Sequence, residues 1–253
     1  MLHEIKKLLD IEVANKNTSL ELSATAAADP LRVAKKHKDD FVAVICALFA
    51  YGNAKLIEKF LLSLDFSALN DDEKTIRKKL QGCYYRFQTN EDVVQLFKTL
   101  SLLKKKHSLE ELFLQGYLKG GVIAGIKTVL EKMYSLNSYR SQGYEFLLGK
   151  IPDKNPSSPY KRWNLFLRWV VRSDELDMGL WRGVNKASLL MPLDVHTFNV
   201  SKKLGLLKRK TYDFKAVLEL TETLKTFDAA DPIKYDFAIY RLGQSHEIEK
   251  YLS

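Results

Sequence analysis

The sequence predicts an all-α protein, and three observations support this fold class. Apolar residues recur at helical spacing along most of the chain, and no run of alternating β-branched residues indicates a strand. No proline occurs between residues 31 and 151, so that interval can hold several uninterrupted helices. The longest uncharged apolar run, residues 41–51, is too short to span a membrane and fits a buried helix instead.

Each helix can be placed by the residues at its ends. Ile5, Leu8 and Leu9 give the first helix its apolar face, and Asp29-Pro30 begins the second because proline suits the first helical position. Residues 41–50 are apolar on nearly every side and predict the central helix of a bundle. Several later helices begin at acidic or hydroxyl side chains, as helix starts favour. These later helices are expected at 54–64, 71–80, 91–105, 108–118, 121–134, 160–172, 194–205, 213–226, 232–242 and 246–252.

The charge of the chain indicates the kind of partner it binds. Lys and Arg number 40 against 31 Asp and Glu, which gives a net charge of +9 at pH 7. An excess of positive charge favours an anionic partner, either nucleic acid or an anionic membrane surface. The first residues include acidic side chains and no long apolar stretch, so we expect no signal peptide and a cytoplasmic location.

The residues that usually hold cofactors are scarce. The two cysteines, Cys46 and Cys83, cannot supply the four ligands of an iron–sulfur cluster or a zinc ribbon. The histidines show no metal-ligand spacing, and the chain has neither a glycine-rich phosphate loop nor a Gly-x-Ser-x-Gly elbow. We therefore expect no metal and no other cofactor.

Lys161 is the first candidate for chemistry. It begins a predicted helix after a loop with three prolines, where free backbone N–H groups can hold a phosphate. A lysine is a nucleophile only as the neutral amine, which desolvation and the adjacent Arg162 favour. The ordinary alternative is a solvated basic stripe that Lys161 shares with Arg168 and Arg172, on the side of the helix opposite Trp163.

Asp194 is the second candidate and stands at the start of another predicted helix, shortly after Pro192. An aspartate in this position is a common N-cap, which is the ordinary alternative to a chemical role. A carboxylate held by helix N–H groups stays ionised and can stabilise a cationic sugar. His196, two residues later, is a possible general base, although a lone histidine near a helix start is more often structural.

The two candidates lie in segments that resemble one known family. Residues 193–200 are similar to the segment with the catalytic aspartate in helix-hairpin-helix DNA glycosylases of the endonuclease III type. Lys161-x-x-Asn164, after its hairpin, resembles the start of the second helix of their hairpin motif. The whole chain resembles an uncharacterised bacterial family of that superfamily and, in plan, the archaeal 8-oxoguanine glycosylases.

The resemblance implies a fold and an activity. It implies one module over residues 1–253, with two helical lobes on either side of a DNA-binding cleft: 1–40 plus 194–253, and 41–193 with the hairpin near 150–172. It further implies a monomeric base-excision repair glycosylase and AP lyase, associated with the nucleoid, that removes an oxidised purine such as 8-oxoguanine from double-stranded DNA. Lys161 would form a Schiff base, followed by β-elimination, and Asp194 would stabilise the sugar cation.

Other residues would contact the DNA or the extruded base. An aromatic and an amide suit the filling of a vacated base stack, although residues 51–53 also read as an ordinary helix end. The implied contact residues are Tyr51, Asn53, Ser157, Ser158, Tyr160, Arg162, Trp181, Pro192 and His196. Two other functions fit the sequence: a monofunctional glycosylase for alkylated bases, and a non-enzymatic helical DNA-binding protein.

Overall fold

The structure, a computed structural model, describes residues 2–23 and 25–245. Within these residues the chain forms α-helices and short 3-10 turns, and it contains no β-strand beyond two isolated bridges, so the predicted all-α class is confirmed. No helix in this part of the chain is long and apolar enough to cross a membrane. The helix expected at 246–252 lies outside the described residues.

The chain divides into two compact units. One unit combines residues 1–27 with 154–253, and the other is the continuous segment 28–153. The lobes implied by the resemblance had boundaries at 40/41 and 193/194, with the hairpin near 150–172 in the middle lobe. In the structure the boundary is at 153/154, so the part of this segment from residue 154 onward is grouped with the C-terminal residues.

The continuous unit is built around α3. Every residue of α3 after Asp40 is buried, as its apolar sequence predicted, and α2 packs against both α3 and α4. The longer α6 contacts α5, α7 and α8. The helices of this unit are α2 (Pro30–His37), α3 (Asp40–Leu48), α4 (Ala54–Ser63), α5 (Glu73–Lys79), α6 (Asn90–Lys104), α7 (Leu109–Leu136) and α8 (Gln142–Leu148).

The α7 helix is interrupted where the sequence predicted a break between two helices. Gly121 has a φ of 73°, in the left-handed region that glycine adopts without a Cβ clash. After this break the second half of α7 approaches the first closely. A Cβ added to Gly116 would lie 2.2 Å from the carbonyl oxygen of Ala124, so only glycine permits this contact.

The second unit joins the two ends of the chain. Its α1 packs against α12, and α12 also packs against α10. Asn17, just after α1, donates a hydrogen bond of 2.9 Å to the carbonyl oxygen of Lys234, and Tyr235 Oη donates one of 2.8 Å to Asp10. The helices of this unit are α1 (Leu2–Lys16), α9 (Lys161–Val171), α10 (Val195–Lys203), α11 (Phe214–Lys225) and α12 (Asp236–Ser245).

Candidate functional site

The start of α9 places Lys161. Tyr160 precedes it with a φ of 48°, a left-handed conformation that is uncommon for a bulky residue. Local hydrogen bonds hold this turn: Asn164 N donates to Tyr160 O at 2.9 Å, and Asn164 Nδ2 donates to Pro159 O at 3.1 Å. Lys161 is therefore the first helical residue after a fixed turn, and its side chain is half-buried.

The rest of α9 lies in the core of its unit. Trp163 is buried as predicted, but the expected solvated stripe is wrong, because Arg168 and Arg172 are buried as well. Arg168 Nη1 lies 2.6 Å from Asp236 Oδ2, and Arg172 Nε lies 2.8 Å from Asp231 Oδ1. Buried guanidinium groups need carboxylate partners, and these come both from the loop after α9, at Asp174 and Asp177, and from the distant Asp231 and Asp236.

Asp194 caps α10, as its position in the sequence predicted. Its Oδ1 accepts hydrogen bonds from the backbone N of Thr197 at 2.8 Å and from Thr197 Oγ1 at 2.7 Å. Within the described residues, Oδ2 of Asp194 accepts no hydrogen bond, and the side chain is half-buried. One carboxylate oxygen is thus fixed by the helix, and the other is open to a ligand.

Asp236, the first residue of α12, carries a buried carboxyl on which the charges of both candidates act. Its buried carboxyl forms the ion pair with Arg168. Burial raises the pKa of Asp236, Arg168 opposes this rise, and the nearby charges of Asp194 and Lys161 act on the same carboxyl in opposite directions. The charges of Lys161 and Asp194 therefore both act on one buried carboxyl, although 33 positions separate the two residues in the sequence.

A second set of contacts joins the same two segments. The backbone N of Phe214 donates a hydrogen bond of 3.0 Å to Ser157 O, in the loop before α9. Tyr212 Oη donates one of 2.9 Å to Leu193 O, directly before α10. Burial, together with the charge of Asp194, raises the pKa of Tyr212 to about 12. Residues 212–214 thus connect the proline-rich loop to the start of α10.

Three further candidates in this unit have structural surroundings. Trp181 is only 3% exposed and packs edge-on against Phe166 at 5.2 Å, so its indole offers little surface for stacking. His196 is half-buried, with Nε2 3.3 Å from Tyr240 O. Pro192 is buried. These placements indicate that the three residues support the site and do not contact a ligand directly.

The candidates on the loop before α9 differ in exposure. Ser157 and Ser158 are exposed, Arg162 is half-buried, and Tyr160 is buried. Ser158 Oγ accepts a hydrogen bond of 3.4 Å from Tyr160 N, which adds to the support of the left-handed turn. Two exposed serines at this turn are therefore available to a phosphate.

Tyr51 and Asn53 belong to the other unit. Asn53 caps α4, with Oδ1 accepting a hydrogen bond of 3.0 Å from Lys55 N, which is the ordinary role that the sequence also allowed. Tyr51 is half-buried and donates a hydrogen bond from Oη to Gln88 Oε1. Tyr51 and Asn53 therefore belong to a different unit from Lys161 and Asp194.

The sequence did not predict a site role for Asp236 or Tyr212, and it did not predict that Arg168 is buried. No local pattern marks Asp236 among the 31 acidic residues, because its partner Arg168 lies 68 positions away. Tyr212 stands in a loop without a motif. Among the described residues, no group of His, Cys, Asp and Glu side chains is arranged to hold a metal ion.

Comparison with known proteins identifies the family. Residues 29–245 match the family described as "Protein of unknown function (DUF2400)". The chain belongs to this family. The resemblance to helix-hairpin-helix DNA glycosylases is therefore corrected: the match over most of the chain is to DUF2400, and nothing in it points to that superfamily. Neither a curated protein nor a solved structure matches the DUF2400 chain.

Proposed function

We propose that this DUF2400 chain is a DNA glycosylase with an AP lyase activity, in which Lys161 and Asp194 act on one deoxyribose. The observation that carries the proposal is that the charges of both side chains act on the buried carboxyl of Asp236, within one compact unit. A half-buried amine and a carboxylate with one open oxygen are the two groups that this chemistry requires.

The reaction begins with extrusion of the damaged nucleotide from the base stack, which costs a few kcal/mol. Asp194 stabilises the positive charge that develops on the sugar as the glycosidic bond breaks. The neutral amine of Lys161 attacks C1′ and forms a covalent bond, and opening of the sugar ring gives a Schiff base. Loss of a C2′ proton then expels the 3′ phosphate and cuts the strand.

Asp236 supports this reaction by accepting the proton of the Lys161 amine. The amine must lose its proton before it attacks C1′, and a nearby base must accept that proton. The carboxyl of Asp236 is buried and held in an ion pair with Arg168, and the charge of Lys161 acts on it. We therefore assign Asp236 to proton transfer with Lys161.

The positive charge of the chain and the loop before α9 supply the contacts with DNA. A net charge of +9 favours non-specific attraction to the phosphate backbone. Ser157 and Ser158, both exposed, are assigned to one phosphate next to the damaged nucleotide. The expected two-lobed DNA-binding cleft, the monomeric state and the nucleoid location stay predictions. The lesion to test first is 8-oxoguanine, the oxidised purine expected from the sequence.

Borohydride trapping tests the proposal, because borohydride reduces a Schiff base to a stable amine. The full chain is incubated with duplex DNA that carries either an abasic site or 8-oxoguanine. We expect a covalent protein–DNA adduct with the unmodified chain and none with Lys161→Gln. The matched control is Lys203→Gln, which removes an exposed lysine of the same unit and should leave the adduct in place.

Three results separate the proposal from its rivals. Failure of the unmodified chain to form an adduct with any lesion in a panel of defined lesions would contradict the lyase step. An adduct that survives Lys161→Gln would show that another amine attacks the sugar. Release of a free base without an adduct would indicate the monofunctional glycosylase instead.

A further inference from the structure

An aromatic cluster lies on the surface of the continuous unit, which does not contain the residues assigned to chemistry. The rings of Phe87 and Phe146 are 4.9 Å apart at 72°, and Tyr51 lies 4.9 Å from Phe146 and 6.2 Å from Phe87. Phe87 is 48% exposed and Phe146 is 40% exposed. We call these three rings together with Arg86 the aromatic platform. Large aromatic side chains left at a surface indicate a binding site.

A rigid base supports the platform. Tyr85 and Gln88 exchange two backbone hydrogen bonds, of 3.2 Å and 2.9 Å, so Arg86 and Phe87 form the tip of a tight turn. Tyr85 is buried, and its Oη donates a hydrogen bond of 2.7 Å to Tyr51 O. Because both ends of the turn are anchored, its tip is held in place before any ligand binds, which reduces the entropic cost of binding.

Arg86 gives the platform its charge. It adopts a φ of 56°, uncommon for a residue other than glycine, and its guanidinium carbon lies 5.7 Å from the ring centroid of Tyr51. In the described part of the chain, no carboxylate forms an ion pair with Arg86. Glu145, the neighbour of Phe146, acts instead on Tyr134, where burial and this charge raise the pKa to about 12.

We propose that the aromatic platform binds an unpaired nucleobase of a nucleic acid strand, with Phe87 stacked on the base and Arg86 on the neighbouring phosphate. Aromatic rings beside an arginine are the combination that single-stranded nucleic acid requires, since every base has a π-face and every link carries a negative charge. This inference rests on the proposed function for its class of ligand, nucleic acid, and it concerns a surface within the continuous unit alone.

The observations favour a nucleobase over an apolar protein segment. Protein interfaces are also enriched in aromatic residues and arginine, so the charge of the chain and not the rings decides between the two partners. The platform contains three rings, one cation and no aliphatic residue, and the whole chain carries a net charge of +9. An anionic partner with flat bases matches this combination of charge and shape.

Fluorescence of a short single-stranded oligonucleotide with one 2-aminopurine tests the inference with the full chain. Stacking on Phe87 should quench 2-aminopurine, and Phe87→Leu should weaken binding by at least about fivefold because a base loses its stacking partner. Phe87→Tyr keeps a ring and should bind like the unmodified chain. Arg86→Gln should reduce the slope of log affinity against log salt by about 0.7, the value for one phosphate contact on a single strand.

Matched controls connect these effects to the platform. Leu118→Ala removes an apolar side chain that is 78% exposed in the same unit and should leave binding unchanged. Equal binding by Phe87→Leu and Phe87→Tyr would overturn the inference and indicate a general apolar surface for a protein partner. Failure of the unmodified chain to bind the oligonucleotide would overturn it as well.

The two proposals fail separately. Quenching of 2-aminopurine reports on Phe87, and the borohydride adduct reports on Lys161, so the two readouts are independent. Borohydride adducts without quenching would overturn the platform and keep the lyase. Quenching without an adduct would keep the platform and overturn the lyase.

Discussion

At the scale of single residues, Asp194 caps α10 and is proposed to stabilise the sugar cation, and one substitution separates these two roles. Asparagine caps a helix as well as aspartate does, so Asp194→Asn should change the free energy of unfolding by less than about 0.5 kcal/mol. The same change removes the charge that stabilises the sugar cation, and we expect base release to fall by at least about a hundredfold. Urea unfolding and single-turnover base release measure the two effects.

The control for Asp194→Asn is Asp72→Asn, which changes another aspartate cap, at α5, in the unit that lacks Lys161. It should leave both stability and base release nearly unchanged. Equal rates of base release for Asp194→Asn and the unmodified chain would show that Asp194 is a cap and nothing more.

The residue scale also shows what the sequence could reveal about the site. The cap at Asp194 was predictable because its hydrogen-bond partner Thr197 is three positions away. The burial of Arg168 was not, because helical spacing alone assigned it to a solvated stripe. Its true surroundings depend on Asp236, which reaches it only through tertiary folding. Contacts between distant residues have no local signature.

At the scale of elements, Asp92 joins the start of α6 to the segment before α8. Its Oδ2 accepts a hydrogen bond of 2.7 Å from Thr89 N, and its Oδ1 accepts one of 3.0 Å from Tyr139 Oη and another from Ser141 Oγ. A Cβ on Gly143 would lie 2.4 Å from Asp92 Oδ2, so α8 begins directly against this carboxylate. One buried charge therefore fixes the positions of two helix starts.

This arrangement predicts a pH dependence of stability. Burial alone would raise the pKa of Asp92, but hydrogen bonds from Ser141, Thr89 and Tyr139 outweigh it and lower the pKa below 3.8. A lowered carboxyl pKa stabilises the fold above the unfolded value, and this contribution is lost as the pH falls through the folded value. Asp92→Asn should lower the free energy of unfolding by about 2 kcal/mol at pH 7.

Urea unfolding over a range of pH checks this prediction. The difference between the unmodified chain and Asp92→Asn should be constant near neutral pH and should shrink below pH 3.8, where the aspartate becomes protonated. A difference that does not depend on pH would mean that Asp92 acts through packing and not through its charge.

Element positions were more predictable than element contacts. The apolar segment of α3 and the Gly120-Gly121 break in α7 were both visible in the sequence, because each depends on residues within a turn or two. The segment before α8, by contrast, is a loose stretch of Ser, Asn and Tyr in the sequence. Its order comes from Asp92, more than 40 positions earlier.

At the scale of the whole molecule, the division of the chain follows long-range packing and not composition. Residues 1–27 join the C-terminal residues because α1 packs against α12 and Tyr235 bonds to Asp10, 225 positions away. The lobes implied by the resemblance grouped α2 with α1, in residues 1–40. The structure instead groups α2 with α3 and α4, where Leu31 and Val33 are buried.

The continuous unit should fold as an isolated fragment, and a fragment cut at the expected boundaries should not. Residues 28–153 retain α2 to α8, including the buried α3 and the Asp92 network. Residues 41–193 lack α2, so apolar surface on α3 and α4 is exposed to water at a cost of roughly 25 cal/mol for each Å². They also keep α9 without Asp231 and Asp236, the ion-pair partners of Arg172 and Arg168. We expect cooperative thermal unfolding, followed by circular dichroism, for 28–153 and aggregation or non-cooperative melting for 41–193. Equal cooperativity in the two fragments would show that α2 is not required for the core around α3.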